Sequence, residues 1–413
     1  MFRMKLKGFN YYPDFKNESL VNQGKKIING IKHKSLDGYE NFGFHELALN
    51  FGDSNLKELH DFAKILVNNN IRDLIILTNT ININNFKTGF QFLFKYDLLQ
   101  KNKIKFHFIN EDLETLNWFT TYNNLKHLIS KKTTGVFICK FSKFNDLFFN
   151  FAKVIVNNFQ QNIGYYRALE KIFLIGKETL EQQFEFLEIS SKNRLVIPNI
   201  LNNNYSFFSE INLLLLLLQG ADLDELLEGY SSASDNFTGL DLEKNLAFQY
   251  GYIRYIQKKY RNTNLLIGNN KILKNCLALL SSFNNNLFIK NDIFTSEIIF
   301  NNEIYTYGQY LLDNNKNIYV TYFEIDAEKN DFRISDEINF DDGLIKLKES
   351  AISYYAKSVN DGVVATLTNI ANIPLTRITI ENNSEFSLGY LINFLYWSLI
   401  YECYLDKINP FVI

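Results

Sequence analysis

Little in this sequence could build a metal centre, cross a membrane or gather a polyanion. The 413 residues include three cysteines, Cys139, Cys276 and Cys403, widely spaced and odd in number. That excludes a disulfide framework and a zinc ribbon. The five histidines are His33, His45, His60, His107 and His127, so the last two-thirds of the chain offers no imidazole. Four prolines leave no room for a proline-rich linker. Forty-three basic side chains against 45 acidic ones give a net charge of −2, which creates no field for nucleic acid or an anionic membrane. The longest apolar runs, Leu213–Leu218 and Tyr390–Tyr401, fall short of the ~20 residues that span a bilayer. No apolar stretch of ~7–15 residues follows the charged start Met1–Gly8, so no signal peptide is expected. The expectation is a cytoplasmic chain without cofactor, metal, nucleic-acid partner or membrane insertion.

What is present is ordinary globular material, 46% hydrophobic and 21% charged. The length fits two domains or one large one. Thirty-eight Phe and 24 Tyr, with abundant Asn, Lys and Ile, match an AT-rich coding sequence. On that basis the clusters Asn68–Asn70 and Asn284–Asn286 read as plain surface loops.

Apolar residues at helical spacing mark 54–70, 86–99, 113–129, 147–159, 210–218, 242–259, 344–359 and 389–405. Short apolar runs between them mark strands at 73–77, 103–109, 135–139, 171–175, 264–267, 293–300, 317–323 and 377–380. Strands alternating with helices predict parallel sheets covered on both faces. The expected fold is α/β, with two αβα sandwich domains of mainly parallel strands. Their expected limits are 45–195 and 205–385, with an N-terminal extension over 1–44 and a C-terminal helix over 386–413.

In such sheets ligands sit beyond the carboxyl ends of the strands. A phosphate held there needs glycine and hydroxyl residues, so that backbone N–H groups can approach it. The loop after 73–77 is Thr78-Asn-Thr-Ile-Asn-Ile-Asn-Asn85, and the loop after 135–139 is Lys140-Phe-Ser-Lys-Phe-Asn145. Neither is a strong phosphate cradle.

Several motifs nevertheless fall in order. Gly220-Ala-Asp-Leu-Asp-Glu-Leu-Leu-Glu-Gly229, Asn245-Leu-Ala-Phe-Gln-Tyr250, Tyr307-Gly-Gln-Tyr-Leu-Leu-Asp313 and Ile408-Asn-Pro-Phe411 resemble segments of the glucose-6-phosphate isomerase family. Each is weak alone, but their colinearity over roughly 35–413 carries the resemblance. It implies two sugar-isomerase-type αβα domains and a homodimer. It also implies a reaction that needs a carboxylate to move a proton, a cation beside the enediol oxyanion, an imidazole for ring opening and a Ser/Thr-rich phosphate loop.

Those groups are missing from the matching positions. The family's phosphate loop becomes Cys139-Lys-Phe-Ser-Lys-Phe-Asn-Asp146, with Phe141 and Phe144 in place of small hydroxyl residues. Its arginine becomes Asn204, beside a surviving Tyr205 and Ser206. Its catalytic glutamate falls in the loop Phe283-Asn-Asn-Asn286, where Asn285 replaces the carboxylate. One family histidine falls at Tyr305, and the loop of the other becomes Thr368-Asn-Ile-Ala-Asn-Ile-Pro374. The family's C-terminal lysine lies beyond Ile413, so the last helix is expected to be truncated. Lys140, Ser142, Lys143 and Gln309 remain as candidates for residual anion or ligand binding. Glu297 is a candidate substitute base, or simply a strand-edge residue. No residue is assigned a catalytic role.

The resemblance therefore points to a catalytically inactive isomerase homologue kept as a structural or assembly protein, with a cytoskeletal or motility complex as one setting. The alternatives are a divergent active isomerase and a sugar-phosphate-binding regulator. An apolar stripe, Tyr390, Phe394, Trp397 and Tyr401, is expected in the core or at a subunit interface.

Overall fold

Two five-stranded sheets organise the chain, each in its own compact unit. The structure, a computed structural model, describes residues 3–94, 104–199, 204–313, 315–328, 331–333 and 351–412. The first unit comprises Glu40–Phe90 and Tyr96–Leu227, and the second comprises Met1–Tyr39, Gln91–Lys95 and Glu228–Ile413.

The chain opens with β1 (Met4–Phe9) and α1 (Glu18–Lys32), which belong to the second unit. It continues through α2 (Gly43–Ser54), α3 (Leu56–Asn68), β2 (Asp73–Thr78), α4 (Thr80–Phe94), β3 (Lys105–Asn110), α5 (Thr115–Ile129), β4 (Thr134–Lys140), α6 (Asp146–Ile163) and α7 (Tyr165–Leu169). Then follow β5 (Ile172–Gly176), α8 (Glu178–Gln183), β6 (Arg194–Val196), α9 (Glu210–Gln219) and α10 (Leu223–Phe237). The remainder is α11 (Leu246–Gln257), β7 (Thr263–Gly268), α12 (Lys274–Leu287), β8 (Phe294–Ile299), α13 (Phe300–Asp313), β9 (Ile318–Ile325), α14 (Ile352–Ala365), β10 (Leu375–Ile380) and α15 (Glu385–Leu405).

In the first unit the sheet order is β3-β2-β4-β5-β6, all parallel. Burial on both faces explains why its strands read as unbroken apolar runs: Leu74–Leu77 and Val136–Cys139 are fully buried. In the second unit the order is β1-β10-β9-β7-β8. Only β1 runs antiparallel, along β10. The parallel strands of both units thus share the doubly-wound order in which the second strand flanks the first and the third returns on its other side. The α/β expectation with mainly parallel sheets agrees with this architecture.

The expected limits differ from the observed units. The supposed extension 1–44 contributes an edge strand and a helix to the second unit, and 386–413 is part of that unit as well. The helix expected at 389–405 as amphipathic is not so: all of Phe386–Cys403 is buried. The Tyr390–Tyr401 stripe is therefore core, and lends no support to a subunit interface. Residues 344–350 of the helix expected at 344–359, and 95–99 of the helix expected at 86–99, lie outside the described residues. Among the described residues no helix is long and apolar enough to cross a membrane.

Candidate functional site

The strand order fixes where to look. In the first unit the connections diverge at the carboxyl ends of β2 and β4, the switch point at which this topology opens a crevice. Two segments arrive there: Thr78–Thr80, leading into α4, and Lys140–Asn145, leading into α6.

The first segment differs from the expected loop. The stretch 78–85 is helical from Thr80. Without glycine the chain turns directly into the helix, and Asn79 Oδ1 accepts from the Asn82 N–H at 3.2 Å. The Thr80 N–H donates to Asp112 Oδ2 at 2.8 Å, so a carboxylate of this chain occupies that donor at the helix N-terminus.

The second segment is closed in the same manner. Lys140 Nζ is ion-paired with Glu111 Oε2 and donates to the Lys143 carbonyl at 3.2 Å. The other Glu111 oxygen accepts from the Asn145 backbone N–H at 2.7 Å and from Asn145 Nδ2 at 2.9 Å. Asn145 Oδ1 caps α6 by accepting from the Phe148 N–H at 2.9 Å. Gln183 clamps the Phe144 peptide, accepting from its N–H at 2.8 Å and donating to its carbonyl at 2.9 Å. Phe141 and Phe144 are each 1% exposed, and Phe144 belongs to the first unit's core with Phe148 and Phe184. Lys140 is thus neutralised, while Ser142 and Lys143 are exposed on the surface of the loop.

The second unit repeats the arrangement at the carboxyl ends of β7 and β9. Asn270 Nδ2 donates to Glu328 Oε1 at 2.9 Å, and Lys357 Nζ donates to Asp326 Oδ1 at 3.0 Å. Toward β10, Arg377 makes a two-pronged bond to Glu324, at 2.8 and 2.7 Å, and a third contact with Asp361 at 2.7 Å. Among the described residues, Lys357 and Arg377 are thus both paired with carboxylates of the chain.

The remaining candidates lie elsewhere and are tied locally. Asn285 is in the last turns of α12, not in a loop. Its amide bridges to β8: Nδ2 donates to the Thr295 carbonyl at 2.8 Å and Oδ1 accepts from the Thr295 N–H at 2.7 Å. The Phe294 N–H donates inward to the Asn262 carbonyl, so by alternation the Thr295, Glu297 and Ile299 peptides point to the open edge of β8. Glu303 accepts from the Ile299 N–H at 2.6 Å. Asn285 and Glu303 together occupy an edge that could otherwise pair with another chain. Tyr305 is 95% exposed on α13. Gln309 is on the same helix, and its Nε2 donates to Asp313 Oδ2 at 3.0 Å. Glu297 is half-buried on β8. Asn204 precedes α9, and Asn202 and Asn203 fall outside the described residues. Tyr205 and Ser206 are core residues: the Tyr205 ring stacks on Phe44, and Ser206 Oγ accepts from Asn85 Nδ2.

Among the histidines, His45 in α2 has its pKa lowered to about 4 by burial, so its neutral form is favoured. His107 Nε2 lies 2.9 Å from Asp73 Oδ1 on the neighbouring strand. The Asn68–Asn70 cluster closes α3 in a turn at the surface, where Asn69 Nδ2 donates to the Glu170 carbonyl at 3.0 Å. The cluster 284–286 is not a surface loop: it is helical, and Asn284 is buried. The residues that decide the two switch points, Glu111, Asp112, Glu324 and Arg377, escaped the sequence reading. The only sign available was their position at or near the ends of predicted strands.

The role of Asn285 gives a direct expectation. Asn285→Asp keeps an acceptor for the Thr295 N–H but sets a carboxylate against the Thr295 carbonyl. Ser281 Oγ still donates to that carbonyl at 2.9 Å, so the loss is that of one hydrogen bond, about 0.5–1.5 kcal/mol. Urea denaturation should show that loss, and a variant as stable as the parent would show that the bridge is dispensable.

No protein-family model matches the chain. Glucose-6-phosphate isomerase of Levilactobacillus brevis is 29% identical over 219 residues, covering 52% of this chain and 49% of that protein. The chain spans about half the length of the first curated relatives it matches. Glucose-6-phosphate isomerase of Mycoplasmopsis pulmonis is 23% identical, over 100% of this chain and 96% of its own. In fold, the crystal structure of a glucose-6-phosphate isomerase from Chlamydia trachomatis superposes with a TM-score of 0.73 at 12% identity, covering 99% of this chain and 85% of that one. The chain is related to the glucose-6-phosphate isomerases in sequence, and the architecture is shared.

Proposed function

We propose that this relative of the glucose-6-phosphate isomerases is a non-catalytic homologue, kept as a homodimeric structural or assembly protein. The observation that carries the reading is the pairing of Lys140 with Glu111 beneath a loop filled by Phe141 and Phe144. A sugar phosphate needs several aligned donors, and here the Thr80, Phe144 and Asn145 N–H groups already have acceptors within the chain. Asn285, at the position the resemblance gives to the proton-transferring glutamate, serves β8 instead. The cores of both units are intact, as a scaffold role requires. If the chain is active, its chemistry is that of an aldose–ketose isomerase.

A second reading, a sugar-phosphate-binding regulator, draws support from the exposed Ser142 and Lys143. Calorimetry separates the two. Titration with glucose 6-phosphate should give no saturable heat with the unmodified protein. Glu111→Gln frees Lys140 and should bring out weak, salt-sensitive binding. Saturable micromolar binding by the unmodified chain, lost in Lys143→Ala, would establish the regulator instead.

A further inference from the structure

We propose that the second unit carries a site for a small zwitterion of the amino-acid class, at the amino ends of β7 and β9. This is the end of the sheet opposite its switch point, and the proposal stands independently of the isomerase relationship. A cavity of about 470 Å³ opens there, walled by Asn262, Thr263, Tyr310, Asp313, Lys316 and Asn317 over Ile318. That volume is within the ~300–1,000 Å³ of ordinary small-ligand pockets.

The charges in the wall identify the ligand. Asp313 ends α13 and Lys316 precedes β9. Opposite charges three residues apart on flexible stems can readily meet, yet these two do not. Asp313 accepts from Gln309 Nε2, and among the described residues Lys316 has no hydrogen-bond or ion-pair partner. Both line the cavity without an ion pair between them among the described residues. At the Asp313 side, the last turn of α13 carries no basic side chain to offset the negative end of the helix. The Tyr310 ring, 56% exposed, adds a face suited to an ammonium group. At the other side Lys316 is available to a carboxylate. The amides of Asn262 and Asn317 and the Thr263 hydroxyl supply neutral donors and acceptors between. A dianion would satisfy Lys316 but face Asp313, a diamine would do the reverse, and a neutral polyol would use neither charge. A zwitterion engages both.

The test is saturation-transfer NMR on the full chain with L-glutamine as probe, alongside putrescine and succinate. Transfer is expected from L-glutamine alone. Asp313→Asn and Lys316→Gln, both surface changes, should each weaken it at least about tenfold, the loss that one charge-assisted hydrogen bond represents. Comparable transfer from putrescine or succinate would overturn the zwitterion assignment. No transfer from L-glutamine, or transfer undiminished in both variants, would overturn the site. Neither result bears on glucose 6-phosphate binding in the first unit, so this proposal and the proposed function fail separately.

Discussion

A coupled assay with glucose 6-phosphate or fructose 6-phosphate is expected to return the buffer rate, both for the chain as it stands and for Asn285→Glu. General acid–base groups contribute ~10²–10⁴-fold each. On the proposed reading the proton-transferring carboxylate and the ring-opening imidazole are both lost, which should remove most of the catalysis even though such losses do not add simply. Restoring one carboxylate at position 285 cannot reverse this. No histidine follows His127, so the imidazole stays missing. The new carboxylate would also lose the amide's donation to the Thr295 carbonyl, leaving a less stable protein with an idle base. The phosphate would still find Lys140 paired and Phe141 and Phe144 in the loop. The result that would reverse the proposed function is turnover by the unmodified protein above the buffer rate, abolished by Lys140→Ala or Glu297→Gln. That would mean the active site has been rebuilt from residues the family does not use.

The sequence exposed the scaffold more readily than the chemistry, for physical reasons. Buried parallel strands advertise themselves as short apolar runs, and β2, β4, β5 and β7 all lie where such runs occur. Local pattern also delivers the Lys140–Lys143 segment to the carboxyl end of β4. What pattern cannot show is that Glu111, on a neighbouring connection, claims Lys140. Nor can it show that Asp112 takes the first N–H of α4. Those pairings come from strand order, and one residue's spacing does not encode another's approach. The opposite error belongs to α12. A register borrowed from the isomerase resemblance makes a loop of Phe283–Asn286, where the chain is helical. Composition misled in a third way. Asparagines that look like codon bias at positions 69 and 285 bond to backbone groups of other elements. Met4-Lys-Leu-Lys alternates, but nothing near it in sequence marks β1 as a strand, because its partner among the described residues, β10, lies at the far end of the sequence.

The largest stability effect is expected from Glu402. α11 and α15 approach so closely that a Cβ on Gly251 would lie 2.5 Å from the Ser398 carbonyl oxygen. One turn further along this contact, Arg254 and Lys258 face Glu402 and Asp406. Arg254 is 1% exposed, Lys258 and Glu402 are each 3% exposed and Asp406 12%. Glu402 holds both cations: Arg254 Nη2 at 2.7 Å on one oxygen and Lys258 Nζ at 3.0 Å on the other. Lys258 is also paired with Asp406. Arg254 rests on the Tyr250 ring at 4.3 Å and Lys258 on the Phe288 ring at 3.5 Å, so the cations are enclosed by aromatic carbon rather than water. Two positive and two negative charges balance in this pocket. Glu402→Ala leaves two buried cations with one carboxylate, and breaking a buried pair in this way costs about 3–5 kcal/mol. Asp406→Asn should cost less. Its pKa is raised because desolvation outweighs the attraction of Lys258, so its surroundings disfavour its charge. Removing a cation together with its carboxylate, as in Arg254→Met with Glu402→Met, leaves Lys258 balanced by Asp406. The double variant should therefore be more stable than the sum of the single losses predicts. Urea denaturation of the parent, the single variants and the double variant decides the matter. Strict additivity, or a Glu402→Ala loss no larger than that of Asp406→Asn, would show that Glu402 is not the shared anchor of α11 and α15.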